Sequence, residues 1–473
     1  MTNPEQRRGF IAQSAAALAG LFAIGRASAQ DVPPQHGEHL GHKMSGSSQE
    51  FPRMHAGTGG PLGSPTDRGK LVSGYRGENL EPVPMTTPDL EKLPFTMVNG
   101  VKEFHLRPMP VKRELLPGQT FNFYGYNGSM PGPTIEVIEG DRVRVVVHNE
   151  LPEATTIHWH GLECPNDMDG IPFITQKMIP AGGTMVYEFT VHQAISMAYH
   201  AHVGMQEAAG SIGMLVSYPK IAPSPAVDYD FGLLLQQFNI ASNSDVVNTM
   251  AMDWNYLTIN GRCGPYTTPL LVKLGSRVRL RFFNFSTLHQ HPLHFHGHTG
   301  WLTGTEGGRI PETAWMPLNT VRIGIGEIRE VEFVANNPGD WVMHCHMFHH
   351  TANHMTSQVG PHIRDPSLDE YKDVPAFPQL MQGKKPMNSS MMKKLMGPRE
   401  THGMADKWFM GSKGMFTVIR VLPEPLYTKI TQTNDPIPVG ASLFSEDGTA
   451  KHQSGQMNMP NMNHGDMKMK QKG

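Results

Sequence analysis

Residues 134–147, TIEVIEGDRVRVVV, contain two short runs rich in β-branched residues, separated by the turn signal Gly140-Asp141. Apolar residues that alternate with charged ones over four to eight positions, bounded by a turn, are typical of half-buried β-strands. Runs of this kind alternate with turn signals from Phe95 to Tyr218. The sequence therefore predicts an all-β domain here, built as an antiparallel sandwich.

The same pattern recurs 135 residues downstream, where residues 271–280 read LVKLGSRVRL. Asn284 then stands where Asn149 stands in the first copy, and each copy runs on into closely spaced histidine pairs. A repeat of this kind indicates a duplicated domain. A chain of 473 residues agrees with two domains and terminal tails.

Eight histidines occur as four His-x-His pairs. Because strand residues two apart project from the same face, each pair offers two imidazoles to one side of its strand, and the residue between them points to the other side. The pairs are His158 and His160, His200 and His202, His294 and His296, and His344 and His346. Together they predict a polynuclear metal centre.

The fourth pair encloses Cys345 and is followed by His350 and Met355, while His291 precedes the third pair. Two imidazoles, one thiolate and one weak thioether form the ligand set of a blue-copper electron-transfer site. The cysteine faces one side of its strand and the flanking histidines face the other. The backbone would then connect two metal sites by a short covalent route.

The ordered motifs His-x-His, His-x-His, His-Pro-x-His-x-His and His-Cys-His-x3-His-x4-Met resemble those of the multicopper oxidases. The resemblance implies two cupredoxin-like Greek-key β-sandwich domains with flexible tails, and four coppers per subunit. It implies type 1 copper on His291, Cys345, His350 and Met355, type 2 copper on His158 and His294, and a type 3 pair on His160, His200, His202, His296, His344 and His346.

The two copies differ at the type 1 position. Ala201 occupies the place that Cys345 holds in the second copy, and Thr155 stands near the place of His291, so the first domain is expected to lack type 1 copper. Between His202 and His291 there is no room for a third domain. The chain thus resembles two-domain multicopper oxidases, which implies a homotrimer with the trinuclear centre between neighbouring subunits.

The predicted organisation has five parts, namely a twin-arginine signal peptide (1–29), a flexible lead segment (30–92), cupredoxin domain 1 (93–222), cupredoxin domain 2 (223–425) and a Met/His-rich tail (426–473). Domain 2 carries a methionine-rich insertion at 360–413, and its last strand is expected at 415–421. Thioethers suit Cu(I), and flexible methionine packing over an apolar surface is the alternative for the insertion.

The N-terminus predicts export to the periplasm. Arg7 and Arg8 precede a mildly apolar stretch that ends in Ala27-Ser28-Ala29, which resembles a twin-arginine signal. No other segment is long and apolar enough to span a membrane, so no membrane partner is expected. The 40 basic residues nearly balance the 42 acidic ones, which gives no electrostatic reason to expect a nucleic acid partner.

Asp169 is the candidate catalytic residue. Reducing dioxygen to water consumes protons, and a carboxylate close to the trinuclear centre would serve as a relay. A plain turn residue before Gly170 is the alternative. The two remaining cysteines, Cys164 and Cys263, are equally compatible with a disulfide in an oxidising compartment and with two buried thiols.

The predicted function is an oxidase that couples one-electron oxidation of Cu(I) or phenols at type 1 copper to the reduction of dioxygen to water, with a role in copper tolerance. Two alternatives belong to other classes. A copper nitrite reductase shares the two domains and the trimer but has no use for eight paired histidines. A non-catalytic periplasmic copper-binding protein would use its Met/His-rich tails as the functional part.

Overall fold

The computed structural model describes residues 81–241, 243–352, 388–405, 408–410 and 414–442. Met355, the predicted signal peptide, most of the lead segment, and large parts of the methionine-rich insertion and of the tail lie outside these residues. In the described ranges, no helix combines the length and the apolar composition that crossing a membrane requires.

The strands between residues 95 and 218 form the first sandwich. They are β1 (Phe95–Val98), β2 (Val101–Leu106), β3 (Pro108–Leu116), β4 (Gln119–Tyr126), β5 (Gly132–Ile138), β6 (Arg142–His148), β7 (Ile157–His160), β8 (Thr184–Thr190), β9 (Ser196–Ala201) and β10 (Ile212–Tyr218). One sheet has the order β1-β2-β6-β8 and the other β5-β10-β9-β7, while β3 and β4 form a separate hairpin. A 3-10 turn lies at Asn166–Met168.

Alternate residues of the two sheets form one core. Val143, Val145 and Val147 of β6 point into it, as do Trp159 of β7 and Tyr199 of β9. Arg144 and Val146, which lie between these valines, face outward, as the period of two requires. The pattern in residues 134–147 therefore forms the strands that it predicts.

The second sandwich lies between residues 229 and 422. Its strands are β11 (Tyr229–Phe238), β12 (Tyr256–Ile259), β13 (Leu270–Lys273), β14 (Arg277–Asn284), β15 (His291–Phe295), β16 (Gly300–Thr305), β17 (Gly308–Arg309), β18 (Met316–Leu318), β19 (Thr320–Ile323), β20 (Ile328–Val334), β21 (Gly339–Cys345) and β22 (Phe416–Leu422). One sheet has the order β12-β11-β14-β20-β16-β17, with β18 on β16, and the other β13-β22-β21-β15-β19. The expected last strand is β22.

Short helices accompany the second sandwich. They are α1 (His349–Ala352), α2 (Ser389–Met396) and α3 (Glu424–Gln432), with 3-10 turns at Glu312–Ala314, Arg399–Thr401 and Trp408–Met410. Within the insertion, Met404 is buried against Phe416 and Val418 of β22. This part of the insertion packs on the sandwich.

The duplication predicted from sequence is visible in the pairing. In the first sandwich β2 runs parallel to β6 and β5 to β10, and in the second β11 runs parallel to β14 and β13 to β22. The sandwich is confirmed, but it is not purely antiparallel, because Greek-key connections place early strands beside later ones of the same direction. The division into domains at residues 222 and 223 stays a prediction.

Asn149 and Asn284 repeat one local structure in the two copies. Each side-chain oxygen accepts a hydrogen bond from the backbone N–H two residues further on, at 3.0 Å. Each side-chain amide also donates to the carbonyl oxygen of a distant residue, Ile179 at 3.0 Å or Ile323 at 3.1 Å. The asparagines therefore tie equivalent loops to equivalent strand ends, just before the histidine pairs.

A second apolar layer joins the two sandwiches. Ala198 and Met214 of the first sandwich belong to one buried cluster with Leu234 and Phe283 of the second. Strands β10 and β14 are buried along their whole length. The core covers one face of each, and this layer covers the other face of β10 but only the Phe283 end of that face of β14.

Charged side chains are buried beside this layer. Arg281 of β14 donates to both oxygens of Asp230 at 2.7 and 2.8 Å, to Glu330 at 2.8 Å, and to Ser196 of β9 at 2.7 Å. The contact with Ser196 links the second sandwich to the strand that carries His200.

Cys164 and Cys263 are both free thiols. Cys263 is buried in a cluster with Leu115 and Met130, whereas Cys164 packs against the core of the first sandwich. The structure therefore has the two thiols, and the disulfide alternative is wrong.

Candidate metal centre

Three predicted type 1 ligands come together inside the second sandwich. His291 begins β15, Cys345 ends the neighbouring β21, and His350 lies on α1. Cys345 Sγ lies 3.6 Å from His291 Nδ1 and 3.2 Å from His350 Nδ1, and the two nitrogens are 3.1 Å apart. All three side chains are buried. Met355, the fourth predicted ligand, lies outside the described residues.

Burial determines the protonation of this group. It lowers the pKa of His350 to about 3 and that of His291 well below its ordinary value, so both imidazoles are neutral. Burial raises the pKa of Cys345 to about 12, so a bound cation is needed to displace its proton. Two neutral imidazoles and one sulfur that converge in a buried site fit copper.

Other side chains hold the two imidazoles from behind. Ser286 Oγ lies 2.6 Å from His291 Nε2, on the side of the ring that faces away from Cys345. The Trp254 indole packs edge-on against His350, with ring centroids 4.7 Å apart. The ring orientations are therefore set by packing and hydrogen bonding as well as by the ligand group.

A first quartet of histidines lies at the edge of the first sandwich, on β7 and at the end of β9. His158 pairs with His200 in the β7–β9 register, and their ring centroids are 5.2 Å apart. Ligand nitrogens of His158, His160 and His200 all lie within 4.8 Å of one another. His202 completes the quartet, with its ring centroid 5.6 Å from that of His158.

A second quartet occupies the equivalent place in the second sandwich. His294 pairs with His344 in the β15–β21 register, with ring centroids 5.8 Å apart. His296 Nε2 lies 3.2 Å from His344 Nε2, and the His346 ring lies 5.5 Å from that of His294. The alternation along β21 is as predicted, because Cys345 is buried while His344 is partly buried and His346 is exposed.

Backbone carbonyl oxygens fix the tautomer of several of these histidines. Because a carbonyl oxygen only accepts, an Nδ1 placed against one carries the proton, and Nε2 presents its lone pair to a ligand. Nδ1 lies 2.8–3.0 Å from such an oxygen in His158, His200, His294 and His344.

The two quartets are separate clusters within one chain. Ring-to-ring contacts occur among the members of each quartet, and among the described residues none links one quartet to the other. Each cluster holds four of the eight paired histidines.

Two carboxylates border the first quartet. Asp169, the predicted catalytic residue, places Oδ1 3.3 Å from His158 Nδ1. Glu207 places Oε2 3.1 Å from His200 Nδ1, and burial raises the pKa of Glu207 to about 7. Glu207 is not among the residues predicted from the sequence, where its only signal is its position five residues after His202.

The fold and the site define a cupredoxin-type copper protein. Family models described as multicopper oxidase match residues 110–221 and 237–362, which together make up about half of the chain. The chain belongs to the multicopper oxidase family, as its motifs predict. Copper is the cofactor of this family, and the donor atoms described above suit it.

Relatives of known sequence and structure agree. The chain is 34% identical over 154 residues to copper resistance protein A of Pseudomonas syringae pv. tomato, covering 33% of this chain and 25% of that protein. It is 29% identical over 231 residues to a multicopper oxidase of Staphylococcus aureus, covering 46% and 49%. The match spans at most about half the length of these curated relatives.

The crystal structure of a blue copper oxidase from Nitrosomonas europaea is similar to this one. It has 26% sequence identity and a TM-score of 0.51, and the match covers 74% of this chain and 95% of that one. The cupredoxin fold expected from the motifs is thereby confirmed.

Proposed function

We propose that this chain couples the one-electron oxidation of a reducing substrate to the four-electron reduction of dioxygen to water. One observation carries the proposal. Cys345 belongs to the buried three-ligand group, while His344 and His346, bonded to it on either side, belong to the second quartet. A single strand end therefore serves two metal sites. Copper at those sites supplies the redox chemistry.

The twelve ligands are assigned to four coppers per chain. Type 1 copper takes His291, Cys345, His350 and Met355, type 2 copper takes His158 and His294, and the type 3 pair takes His160, His200, His202, His296, His344 and His346. Support comes from the backbone contacts at Nδ1, which leave Nε2 lone pairs available in both quartets.

The separation of the two quartets supports a contact between copies, and the resemblance to two-domain multicopper oxidases makes the proposed assembly a homotrimer. Type 2 and type 3 copper each need ligands from both quartets, yet no ring contact joins the quartets among the described residues. A head-to-tail arrangement that closes on itself brings the first quartet of one copy to the second quartet of the next. Three copies then hold three trinuclear centres.

Asp169 and Glu207 are assigned to proton supply. Both carboxylates touch the Nδ1 side of a histidine, opposite the Nε2 lone pair that faces the metal. Dioxygen reduction consumes protons, and a carboxylate beside a ligand histidine can hold one close to the centre.

Cu(I) and phenols are the proposed substrates. One relative is named a copper resistance protein and others are named laccases, which supports both classes. A copper-tolerance role and export to the periplasm by the twin-arginine pathway are part of this proposal. Replacing Arg7 and Arg8 by lysine should retain the protein in the cytoplasm, which cell fractionation would show.

Oxygen uptake by the copper-loaded chain, measured with Cu(I) and separately with a phenol, tests the function. Uptake with either reductant, together with about four coppers per chain, is the expected result. Two coppers per chain and nitrite turnover would favour the nitrite reductase alternative. Copper binding without oxygen uptake from any reductant would leave a copper-binding protein instead.

A further inference from the structure

The turn at residues 171–176 presents two large apolar side chains to solvent. Phe173 is 79% exposed and its neighbour Ile174 is 81% exposed. Single exposed apolar residues are common on protein surfaces, but two adjacent large ones exposed to this extent form an apolar projection that indicates an interaction site.

The turn is held rigidly by its own hydrogen bonds. The carbonyl oxygen of Ile171 accepts from the N–H groups of Thr175 at 3.0 Å and Gln176 at 3.3 Å, and Phe173 N–H donates to the Gln176 carbonyl at 2.7 Å. Phe173 has a φ of 64°, in the left-handed region that a residue with a bulky side chain rarely adopts. The apolar pair is therefore preorganised, which reduces the entropy lost when an anchor binds.

The turn is attached directly to the first quartet. It follows Asp169 and Gly170. The carbonyl oxygen of Asp169 lies 2.8 Å from His158 Nδ1. A Cβ on Gly170 would lie 1.8 Å from the carbonyl oxygen of Ile157, so the base of the turn packs on β7. A surface that covers the turn therefore also borders the first quartet.

Exposed apolar side chains also lie close in sequence to the second quartet and its partners. Phe348 is 69% exposed and comes two residues after His346. Met316 is 56% exposed and precedes Asn319, whose carbonyl oxygen lies 2.8 Å from His294 Nδ1. One chain thus carries two apolar rims, one formed by Phe173 and Ile174 and the other by Phe348 and Met316. Each rim lies beside half of the paired histidines. Two different patches that meet each other form a head-to-tail contact, which can close into a ring.

We propose that the Phe173-Ile174 turn is the anchor of the contact between copies of this chain, docking on the surface around Phe348 and Met316 of a second copy. The contact brings the first quartet of one copy to the second quartet of the next. The inference rests on the shared copper centre of the proposed function. A second copy is the occupant because each rim borders a cluster that holds only half of the histidines.

The double variant Phe173→Ser/Ile174→Ser tests the anchor, with the mass of the copper-loaded full chain measured by light scattering. We expect a monomer at concentrations where the unchanged chain is a trimer, with copper reduced from about four per chain. The blue absorption of the type 1 site should remain, which shows that the second sandwich is folded. Met97→Ser/Ile221→Ser, at residues 56% and 54% exposed elsewhere, is the matched control and should stay trimeric.

A mixing experiment tests the head-to-tail pairing. Phe348→Ser, on the opposite rim, should also give a monomer. When Phe348→Ser is mixed with the turn variant Phe173→Ser/Ile174→Ser, one contact can form. The unaltered turn of the Phe348→Ser chain docks on the unaltered rim of the other chain. Native mass spectrometry should then show a 1:1 dimer that neither variant forms alone.

The outcomes separate the inference from the function on which it rests. A monomeric unchanged chain with four coppers would overturn the shared centre. A trimer that persists in the turn variant would overturn the anchor and leave the shared centre standing. Two folded variants that form no mixed dimer would overturn the head-to-tail pairing of these two rims.

Discussion

Cys345 is the residue at which the buried three-ligand group and the second quartet meet. Replacing it with serine removes the only thiolate of the site, and a hydroxyl oxygen is a poor ligand beside soft sulfur and imidazole. We expect Cys345→Ser to lose the blue absorption and the oxygen uptake while it retains about three of four coppers. Absorption spectroscopy and metal analysis would check this.

Cys164→Ser is the matched control, because Cys164 is a free thiol outside the ligand group. It should keep both colour and turnover. Blue colour or turnover in Cys345→Ser would contradict the type 1 assignment, whatever the copper content of the variant.

Ser286 contacts His291, a proposed type 1 ligand, on the ring nitrogen that faces away from Cys345. With Nδ1 as ligand, His291 Nε2 carries the proton and donates to Ser286 Oγ at 2.6 Å. Ser286→Ala removes that acceptor, and loss of such an orienting partner lowers metal affinity by about 10–100-fold. Chelator competition followed at the blue absorption would measure the change.

Ser286→Thr keeps the hydroxyl and should restore most of the affinity, whereas equal losses in both variants would indicate a packing effect.

Sequence spacing was sufficient to predict the metal-ligand candidates, because two-residue periodicity and strand pairing place each histidine pair on one face. The observed register, with His158 opposite His200 and His294 opposite His344, then brings these pairs together. Ser286 was not predictable in this way. Its role depends on how the loop before β15 folds back on the ring, which is a tertiary contact with no spacing rule.

At the scale of strands, β14 carries an unusual burial pattern. Its sequence RVRLRFFN alternates charged and apolar residues, which normally indicates one solvated face. The structure buries both faces, and the arginines pair with Asp230, Glu330 and Glu332. The strand was predictable from its period, but the burial of its charged face depends on acids supplied by β11 and β20.

Glu332 is the centre of this buried network. It accepts hydrogen bonds from Arg277 at 2.8 Å, Arg279 at 3.1 Å and Arg309 at 2.6 Å, and it is fully buried. Removing one partner from a buried ion pair leaves charge uncompensated, which costs about 3–5 kcal/mol. We expect Glu332→Gln to lower the free energy of unfolding by that amount in denaturant titrations. Glu188→Gln, at a partly exposed carboxylate that pairs with Arg142 and Arg144 on the surface, should change it little.

The same residue predicts the response to acid. Burial alone would raise the pKa of Glu332, but Arg309, Arg277 and Arg279 outweigh burial and hold that pKa well below its ordinary value. The carboxylate therefore adds stability above the unfolded-state pKa of about 4.3, and this stability is lost as pH falls below that value. Unfolding titrations between about pH 3 and 6 should show a weaker pH dependence in Glu332→Gln than in the unchanged chain. Parallel curves would contradict this role.

At the scale of the whole molecule, the buried contacts within one chain and the proposed copper centre lie at different junctions. The two sandwiches of one chain share a buried apolar layer and the Arg281 network, so their packing does not depend on metal. The junction between copies holds ligands from both quartets in the proposed function. Copper bound there adds to the free energy of association between copies, beyond what the protein contact alone provides.

Removing copper should therefore weaken the trimer more than it weakens the fold of each chain. A ligand that binds only the assembled state, at 100 times its Kd, stabilises it by about 2.7 kcal/mol. We expect chelated protein to have a lower Tm that depends on protein concentration, and to dissociate at concentrations where the loaded protein is trimeric. Calorimetry and sedimentation at two protein concentrations would measure both effects.

The monomeric Phe173→Ser/Ile174→Ser chain is the control, because copper can raise its Tm only within one chain. The mass could stay unchanged after complete copper removal, and the monomeric variant could show the same loss of Tm. Together these results would show that copper stabilises the chain and not the contact between copies.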